Sequence, residues 1–475
     1  MADHSTEEGE FYKDERFRDT VATINAEGKR NFIYPKRSKG PWMTKRSAVA
    51  YGLLVFLFSA PWIRIGGQPL LLLDVLGRRF VILGQVFWPQ DSHLLVLSML
   101  TGILFVIVFT VIFGRIFCGW ICPQTIFMEH VFRKIEYWID GDRGEQLRLA
   151  RMPWNLEKIG KRTLKNGLFF GISFAIANTF LMYLIGTERW RSIVTDDPQN
   201  HLGGLATITV FTGVFFFVFA WFREQVCLIV CPYGRLQGVL LDRNSVVIAY
   251  DYARGEKRGR YRKGESRAEA NKGDCIDCGQ CVDVCPTGID IRNGTQLECI
   301  NCAACIDVCN TIMVKTQQPK GLIRFASENQ ISEKKPFRFT PRIIAYTGVL
   351  AVLLVVMGFL LRERSPIEAT VLRAPGMLYQ NRGEGLYSNL YTIKVVNKST
   401  GPIDIEMELI SPPGRIEWVG TYNGHAEVRE LVQASFFIYL EDAAISGSNT
   451  PVELSILAGG EELSRIKTNF NGPIR

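Results

Sequence analysis

Residues 275–309 carry two copies of one cysteine pattern. The first copy is Cys275-Ile-Asp-Cys278-Gly-Gln-Cys281-Val-Asp-Val-Cys285-Pro286, and the second is Cys299-Ile-Asn-Cys302-Ala-Ala-Cys305-Ile-Asp-Val-Cys309-Asn310. Each copy has the spacing Cys-x2-Cys-x2-Cys-x3-Cys, which places three thiolates around one four-iron cluster. The duplication predicts a ferredoxin-like domain with two [4Fe-4S] clusters at about residues 265–320.

The order of the cysteines also predicts which cluster each one binds. In two-cluster ferredoxins the fourth cysteine of each run binds the other cluster. By this rule the ligand sets are Cys275, Cys278, Cys281 and Cys309 for cluster one, and Cys299, Cys302, Cys305 and Cys285 for cluster two. Zinc sites use two separated pairs of ligands, and disulfides are disfavoured in a reducing compartment, so the iron–sulfur interpretation is preferred.

The other four of the twelve cysteines form a second repeat. Its copies are Cys118-Gly-Trp-Ile-Cys122-Pro123 and Cys227-Leu-Ile-Val-Cys231-Pro232. A spacing of four predicts that both thiols of a copy lie on one helical face, and the proline is expected to end or kink the helix. If the two helices pack together, all four thiols converge on one metal or redox site. Soft thiolates accept copper(I), zinc or a third iron–sulfur cluster, although buried cysteine is also an ordinary small apolar residue.

Apolar residues make up 47% of the 475-residue chain, and they are concentrated in five runs that are nearly free of charge. The runs are 47–63, 94–113, 166–185, 202–222 and 343–361. Because a helix needs about 20 residues to cross the hydrocarbon core of a bilayer, they predict an α-helical membrane protein with five transmembrane helices. The segment 69–87 is expected to form a hairpin rather than a crossing.

The distribution of lysine and arginine predicts the orientation of these helices. Seven basic residues and no acidic residue lie in 29–46, whereas the segments after the first and third runs are poor in basic residues. Since basic residues concentrate on the cytoplasmic side, the N-terminus is expected in the cytoplasm and the C-terminus outside. The net charge of +8 then follows from membrane topology, so membrane lipid rather than nucleic acid is the expected contact.

These patterns divide the chain into five segments. They are a cytoplasmic tail (1–46), a four-helix membrane region (47–222), a cytoplasmic insert with the ferredoxin-type domain (223–341), a fifth transmembrane helix (342–361) and a C-terminal domain (366–475). In the C-terminal domain, residues 391–397 and 403–409 alternate apolar and polar side chains. This period is typical of half-buried strands and predicts a β-sandwich.

Several motifs resemble those of a known family. They are Gly114-Arg-Ile-Phe-Cys-Gly-Trp-Ile-Cys-Pro-Gln-Thr125, Arg223-Glu-Gln-Val-Cys-Leu-Ile-Val-Cys-Pro-Tyr-Gly-Arg-Leu-Gln237, Tyr250-Asp-Tyr-Ala-Arg-Gly-Glu256, Cys285-Pro-Thr-Gly-Ile-Asp-Ile-Arg292, Pro319-Lys-Gly-Leu-Ile-Arg324 and Val371-Leu-Arg-Ala-Pro-Gly376. On these motifs the chain resembles the CcoG family, also called FixG or RdxA. Members of that family are accessory proteins for assembly of the cbb-type cytochrome oxidase.

The resemblance implies a bacterial inner-membrane protein that reduces copper(II) to copper(I) for the oxidase, with an immunoglobulin-like C-terminal domain in the periplasm. It also implies oxidase assembly proteins or copper carriers as partners, together with an electron donor that the residues do not identify. Two alternatives stay open. One is a membrane ferredoxin that relays electrons from a quinol or a cytoplasmic donor to a periplasmic reductase, and the other is a non-enzymatic assembly scaffold with structural clusters.

Overall fold

The computed structural model describes residues 23–24, 29–75, 77, 79–87, 92–263, 265–267, 269–336, 338–362, 367–374, 379–383, 385–397, 401–420, 424–427 and 431–473. The chain divides into two compact units. One comprises Met1–Ile63, Pro69–Phe80 and Pro89–Val355, and the other comprises Arg64–Gln68, Val81–Trp88 and Val356–Arg475.

The helices of the chain are concentrated in the first unit. In chain order they are α1 (Pro41–Ser59), α2 (Ser92–Phe113), α3 (Ile116–Trp120), α4 (Pro123–Ile126), α5 (Arg133–Ile139), α6 (Arg143–Arg151), α7 (Leu156–Ile185), α8 (Thr187–Thr195), α9 (Leu202–Phe217), α10 (Pro232–Leu240), α11 (Tyr252–Gly255), α12 (Gln280–Asp283), α13 (Ala304–Lys315), α14 (Glu328–Ser332) and α15 (Pro341–Arg362). Three π-helical turns, Phe127–Phe132, Val218–Phe222 and Val226–Val230, interrupt or extend them.

Four helices among the described residues are long and apolar enough to cross a membrane. They span His93–Phe113, Leu156–Ile185, Pro198–Phe222 and Pro341–Arg362, with mean hydropathies of 2.8, 1.9, 2.1 and 2.6. The longest, α7, begins after Asn155, whose side chain accepts a hydrogen bond from the Lys158 amide, and it ends before Gly186 at φ 84°. The four helices match four of the five apolar runs, and the chain is an integral membrane protein.

The fifth apolar run lies in α1, which is not among the helices that are long and apolar enough to cross a membrane. Lys45 and Arg46 fall inside this helix, so its longest uncharged stretch is only Ser47 to Ser59. The segment after Ser59 continues as a short 3₁₀ turn, Ala60–Trp62, rather than as α-helix. Five transmembrane crossings therefore stay a prediction, with α1 as the helix that decides the number.

The segment between α1 and α2 forms short strands. They are β1 (Arg64–Ile65), β2 (Gln68–Pro69), β3 (Leu71–Asp74), β4 (Arg79–Ile82) and β5 (Gln85–Phe87). Strands β1 and β2 pair with each other, and β3, β4 and β5 form a sheet in that order. The prediction of a hairpin rather than a crossing in this segment is confirmed.

The two cysteine copies lie between a pair of antiparallel strands, β6 (Val247–Tyr250) and β7 (Ile323–Ala326). Ile248, Leu322 and Ile323 are almost fully buried in the core that also holds the cysteines. Both strands lie outside the predicted bounds of the domain, about 265–320, which were drawn around the cysteines alone.

The C-terminal part folds as two antiparallel sheets with a shared core. The first sheet has the order β13 (Gly414–Val419), β15 (Leu431–Glu441), β10 (Leu386–Asn397), β8 (Ile367–Arg373), with β9 (Gln380–Asn381) also paired to β10. The second has the order β12 (Glu406–Ser411), β16 (Asn449–Ala458), β17 (Glu461–Asn471), and β11 (Ile403–Asp404) pairs with β14 (His425–Ala426). Tyr391 of β10 donates a hydrogen bond to the Asn469 carbonyl of β17 at 2.9 Å, and it is fully buried beside Phe436. The predicted β-sandwich is confirmed.

Candidate functional site

The first set of cysteines lines one cavity of the ferredoxin-like domain. Its cysteines are Cys275, Cys278, Cys281 and Cys309. Most of the remaining wall is aliphatic, with Ile312 and Met313 of α13 and Leu322 before β7 as examples. Three of these thiols come from the first copy of the repeat and one from the second, because α13 carries Cys309 across to the first copy.

The second set lines a neighbouring cavity. Its cysteines are Cys285, Cys299, Cys302 and Cys305, and Cys281 also contributes, so that the two cavities share a wall. Isoleucine side chains form much of the rest, including Ile248 of β6. Here too one thiol, that of Cys285, comes from the other copy of the repeat.

The backbone repeats with the sequence. Gly279 and Ala303 occupy the same position in the two copies, and both adopt the left-handed conformation, at φ 67° and 63°. Asp277 and Asn301 also correspond, at φ 55° and 53°. Left-handed backbone at a non-glycine residue is uncommon and persists only where the surroundings impose it. Each copy therefore builds the same tight loop around its cysteines.

The donor set of both cavities fits a [4Fe-4S] cluster, which is held by four cysteine thiolates. Burial raises the pKa of Cys281, Cys299 and Cys309 to about 12, so these groups are neutral thiols when nothing positive is bound. A bound cationic group favours the thiolate form and offsets this cost of burial. Buried thiols with no other function would not need to converge in two sets of four.

The second repeat has a local structure that differs from the sequence prediction. Cys118 lies in the short helix α3, which ends at Trp120, whereas Cys122 is the residue that caps the start of α4. Likewise Cys227 lies in the π-helical turn Val226–Val230, and Cys231 caps the start of α10. The expectation that both thiols of a pair share one helical face is wrong. The reason is the proline, which begins a new helix at its first position instead of bending an existing one.

The two pairs of this repeat lie close enough to interact electrostatically. Burial is the main reason that the pKa of Cys118 is raised to about 11, and the charges of Cys122 and Cys231 contribute to the rise. Burial likewise raises the pKa of Cys227 to about 12, with contributions from Cys122, Cys118 and Cys231. Within the part of the chain that the structure describes, no three His, Cys, Asp or Glu side chains are grouped tightly enough to hold a single metal ion. One shared metal site stays a prediction.

Gln237 of α10 connects the two halves of this thiol site. Its Nε2 donates to Cys118 Sγ at 3.2 Å, and the thiol can donate to Oε1 at 3.4 Å. The side chain of Gln237 is fully buried. On the same helix, the Tyr233 hydroxyl shares a 2.7 Å hydrogen bond with Thr110 of α2. These contacts hold α10 against the segment that carries Cys118.

The segment 118–122 packs directly on the loop that carries Cys299 and Cys302. A Cβ atom on Gly119 would lie 2.2 Å from the Ile300 carbonyl oxygen, so only glycine allows this approach. Next to it, Trp120 Nε1 donates to the Asn301 carbonyl at 3.1 Å. The backbone of the segment 118–122 is therefore in contact with the backbone of the loop that lines the second cysteine cavity.

Two buried arginines lie between these sites. Arg46 of α1 is 1% exposed, and its Nε donates to the Gly119 carbonyl at 2.7 Å. Burial raises the pKa of Cys302 to about 11, while the Arg46 guanidinium acts in the opposite direction. Arg115 donates to the Gly234 carbonyl at 2.6 Å, and its charge favours the thiolate forms of Cys118 and Cys299. Both positive charges favour electron-rich, thiolate-bound groups at these positions.

Sequence reasoning identified every cysteine but missed the residues that connect them, namely Arg46, Gly119, Gln237 and Asn301. Gly119 carried a usable signal, because a glycine between two cysteines of a motif indicates a close approach of the backbone. Arg46 was counted only as one of seven basic residues near the first apolar run, and its burial could not be inferred from its position.

Three family models match the chain. The model described as "4Fe-4S dicluster domain" matches residues 222–328, and the one described as "4Fe-4S binding domain" matches residues 95–144. The third, "IG-like fold at C-terminal of FixG, putative oxidoreductase", matches residues 357–473. Together they include all twelve cysteines and the β-sandwich.

Several curated proteins are similar over most of the chain. Protein RdxB of Cereibacter sphaeroides is 32% identical, covering 90% of this chain and 92% of its own length. The nitrogen fixation protein FixG of Rhizobium meliloti is 32% identical, covering 78% of this chain and 77% of its own length. Protein RdxA of Cereibacter sphaeroides is 33% identical, with 77% and 80% covered.

Proposed function

The chain belongs to the FixG/RdxA family of membrane-associated 4Fe-4S electron-transfer proteins, and from this premise we propose that it reduces copper(II) to copper(I). The copper would be destined for the copper centre of a cbb-type cytochrome oxidase during its assembly. Copper is the substrate in this proposal, and the iron–sulfur clusters are the resident cofactors.

The eight cysteines of the ferredoxin-like domain would hold the clusters in the crossed arrangement. Cys275, Cys278, Cys281 and Cys309 would bind cluster one, and Cys299, Cys302, Cys305 and Cys285 would bind cluster two. Bound there, the clusters would supply single electrons, and the reduction of copper(II) to copper(I) consumes one electron. The chain's own contribution is an apolar wall that excludes water and two arginines, Arg46 and Arg115, that favour the electron-rich state.

The observation that carries the proposal is the contact between Gly119 and Ile300. It brings the segment with Cys118 and Cys122 against the loop with Cys299 and Cys302, so that a substrate held by the four thiols would lie beside cluster two. Copper fits this role because thiolate ligands stabilise copper(I), the product, more than copper(II).

The orientation in the membrane is part of the proposal. The chain would cross a bacterial inner membrane five times, with α1 as the first crossing, the N-terminus and the ferredoxin-like domain in the cytoplasm, and the immunoglobulin-like domain in the periplasm. The distribution of lysine and arginine around the apolar runs supports this arrangement. An electron donor would then reach the clusters from the cytoplasm, while copper carriers or oxidase assembly proteins would meet the other parts of the chain.

The test combines copper reduction with metal analysis. We expect the double variant Cys122→Ser/Cys231→Ser to lose formation of copper(I), measured with a chelator specific for copper(I), and to keep the iron and sulfide of both ferredoxin-type clusters. Cys278→Ala serves as the reference for cluster loss, because it removes a ligand of cluster one. If the double variant reduces copper at the parental rate, the thiols do not take part and the proposal fails.

A second candidate function is an electron relay in which Cys118, Cys122, Cys227 and Cys231 bind a third [4Fe-4S] cluster. The match of a 4Fe-4S binding model to residues 95–144, which include Cys118 and Cys122, favours it. In that case the same double variant loses about four irons per chain, the content of one cluster. If the protein is instead a scaffold with structural clusters, the result for Cys278→Ala differs. The variant protein would then still support oxidase assembly as long as it folds.

A further inference from the structure

A cavity of about 310 Å³ lies beside the first turn of α1. The segment 35–47 supplies most of its lining, and Tyr137 of α5 also lines it. Pro286 and Ala304, which neighbour Cys285 and Cys305 in sequence, belong to the lining as well. The cavity thus borders the second cysteine cavity, with which it shares Pro286, but no cysteine lines it, and the only lining residue that the copper proposal uses is Arg46.

The side chains that line this cavity give it a positive charge. Five of them are cationic: Lys36, Arg37, Lys39, Arg46 and Lys134. The single acidic residue of the lining, Glu129, forms an ion pair with Arg133 at 2.6 Å, and Arg133 does not line the cavity. Lys134 donates to the Tyr51 hydroxyl, which is uncharged. The excess of positive charge is therefore not cancelled by the lining itself.

Two buried donors in the lining are available to a ligand. Arg46 is 1% exposed, and its Nη2 has no hydrogen-bond partner among the residues that the structure describes. The Ser38 hydroxyl, also in the lining, is buried and equally unpartnered within that part of the chain. A buried donor left unsatisfied costs about 1–3 kcal/mol, so such groups usually have a partner. An anion in the cavity would satisfy both.

We propose that this cavity binds the phosphate group of a small anionic ligand. The volume is that of an ordinary ligand pocket, and the guanidinium of Arg46 with a hydroxyl and flexible lysines suits phosphate. The site lies at the start of Ser47–Ser59, the long uncharged stretch of α1. A phosphate at this level belongs either to the headgroup of an anionic phospholipid or to a soluble phosphate compound, and the two sources share the same recognition chemistry.

The experiment measures ligand binding to the full-length, cluster-loaded protein in detergent through its thermal unfolding midpoint. One arm adds short-chain phosphatidylglycerol and the other adds inorganic phosphate, both at constant ionic strength. Lys36→Gln/Lys39→Gln removes two exposed cations of the cavity, and Lys315→Gln/Lys320→Gln removes two exposed cations elsewhere in the same unit. Each cation contributes about 1 kcal/mol to the binding free energy of an anionic headgroup, and each 1.4 kcal/mol changes the affinity about tenfold. We therefore expect the first pair of substitutions to weaken binding about 30-fold. The second pair should bind like the parent.

Each outcome decides the proposal. A stabilising shift with phosphatidylglycerol alone identifies a lipid headgroup, and a shift with inorganic phosphate as well identifies a soluble phosphate compound. No shift of the parent with either ligand overturns the proposal, as does equal weakening in the two lysine pairs. Arg46→Gln is a further variant that should also weaken binding, and the exposed lysine pair keeps the test valid if loss of this buried arginine prevents folding.

Discussion

At the scale of single residues, Gly119 is the point where the segment 118–122 touches the loop of the second cysteine cavity. We expect Gly119→Ala to destabilise the protein by about 1–3 kcal/mol, because its Cβ would meet the Ile300 carbonyl oxygen at 2.2 Å and force the two segments apart. The unfolding midpoint and the iron content are the measurements.

Gly144 in α6 provides the matched control for this substitution. A Cβ there meets no atom within 4 Å, and alanine is a better helix former than glycine by about 0.5–1 kcal/mol. Gly144→Ala should therefore be neutral or slightly stabilising. Equal unfolding midpoints for the two variants would show that the contact at Gly119 is not needed.

His425 in the β-sandwich makes a second prediction at this scale. Asp404 and Glu427 accept hydrogen bonds from its ring at 2.7 and 3.3 Å, which raises the pKa of His425 above its ordinary 6.5. A raised pKa in the folded state means that the stabilisation is complete below about pH 6.5 and is lost as pH rises through the folded value. The effect on stability is small because the ring is solvent-exposed.

Proton NMR of the His425 ring against pH measures this pKa directly. In the parent the midpoint should lie above 6.5, and in Asp404→Asn it should move down, because the neutral amide no longer favours the imidazolium. Identical midpoints in the two proteins would show that the Asp404 contact does not form in solution.

The site residues that could be predicted from the sequence are those that belong to a motif of closely spaced ligands. All twelve cysteines have this property, because each belongs to a motif whose neighbouring cysteines are three or four residues apart. Gln237 and Arg46 do not have it. Their partners, Cys118 and Gly119, lie 119 and 73 residues away in sequence, and only the packing of helices on the ferredoxin-like domain brings them together.

At the scale of elements, the internal repeat produces two aspartates with different roles. Asp307 of α13 accepts hydrogen bonds from the first-turn amides of α1, those of Trp42 and Met43, at 3.2 and 2.9 Å. A carboxylate there satisfies free amides and the positive end of the helix dipole. Asp283, in the same position of the first copy, has a half-exposed side chain and pairs with Arg143 at 3.1 Å.

We expect Asp307→Ala to lower the free energy of unfolding by about 1–2 kcal/mol, because the start of α1 loses its cap. The matched substitution Asp283→Ala should cost under about 1 kcal/mol, the usual contribution of an exposed ion pair. Thermal unfolding of the two variants side by side gives the comparison. If Asp283→Ala is the more damaging of the two, α1 is not anchored through Asp307.

Helices and strands could be predicted where the sequence has a regular alternation of apolar and polar residues or a long apolar run. The alternation in 391–397 and 403–409 marked strands that the structure contains, and four of the five apolar runs became long helices. The helix ends before Pro123 and Pro232 agree with the prediction, but the new helices that begin at these prolines were not predicted, because a proline is compatible with both the end and the start of a helix. Only the backbone of Cys122, at φ −58° and ψ 123°, decides for the start.

At the scale of the whole molecule, the proposed topology makes a direct prediction. An odd number of crossings separates the two termini, whereas the four helices that meet the criteria would return the C-terminus to the side of the N-terminus. We therefore expect alkaline phosphatase fused at the C-terminus to be active and a fluorescent protein fused there to be dark. A fusion after Lys335 should give the opposite pattern. A fluorescent C-terminal fusion without phosphatase activity would show that the C-terminus is cytoplasmic, and α1 would then not cross the membrane.

Trp120 and Asn301, which are in contact, are 181 residues apart in sequence. During translation, the segment 118–122 is therefore made well before the loop that it packs against. At about 5–20 residues per second, the ribosome needs roughly 10–40 s to make the loop on which the segment 118–122 must rest. During that time Cys118 and Cys122 have no docking surface, and thiols that are accessible in this way are open to oxidation. The nascent chain thus passes through an oxygen-sensitive stage before its electron-transfer domain exists, and the yield of intact protein should be higher when cells are grown with little oxygen.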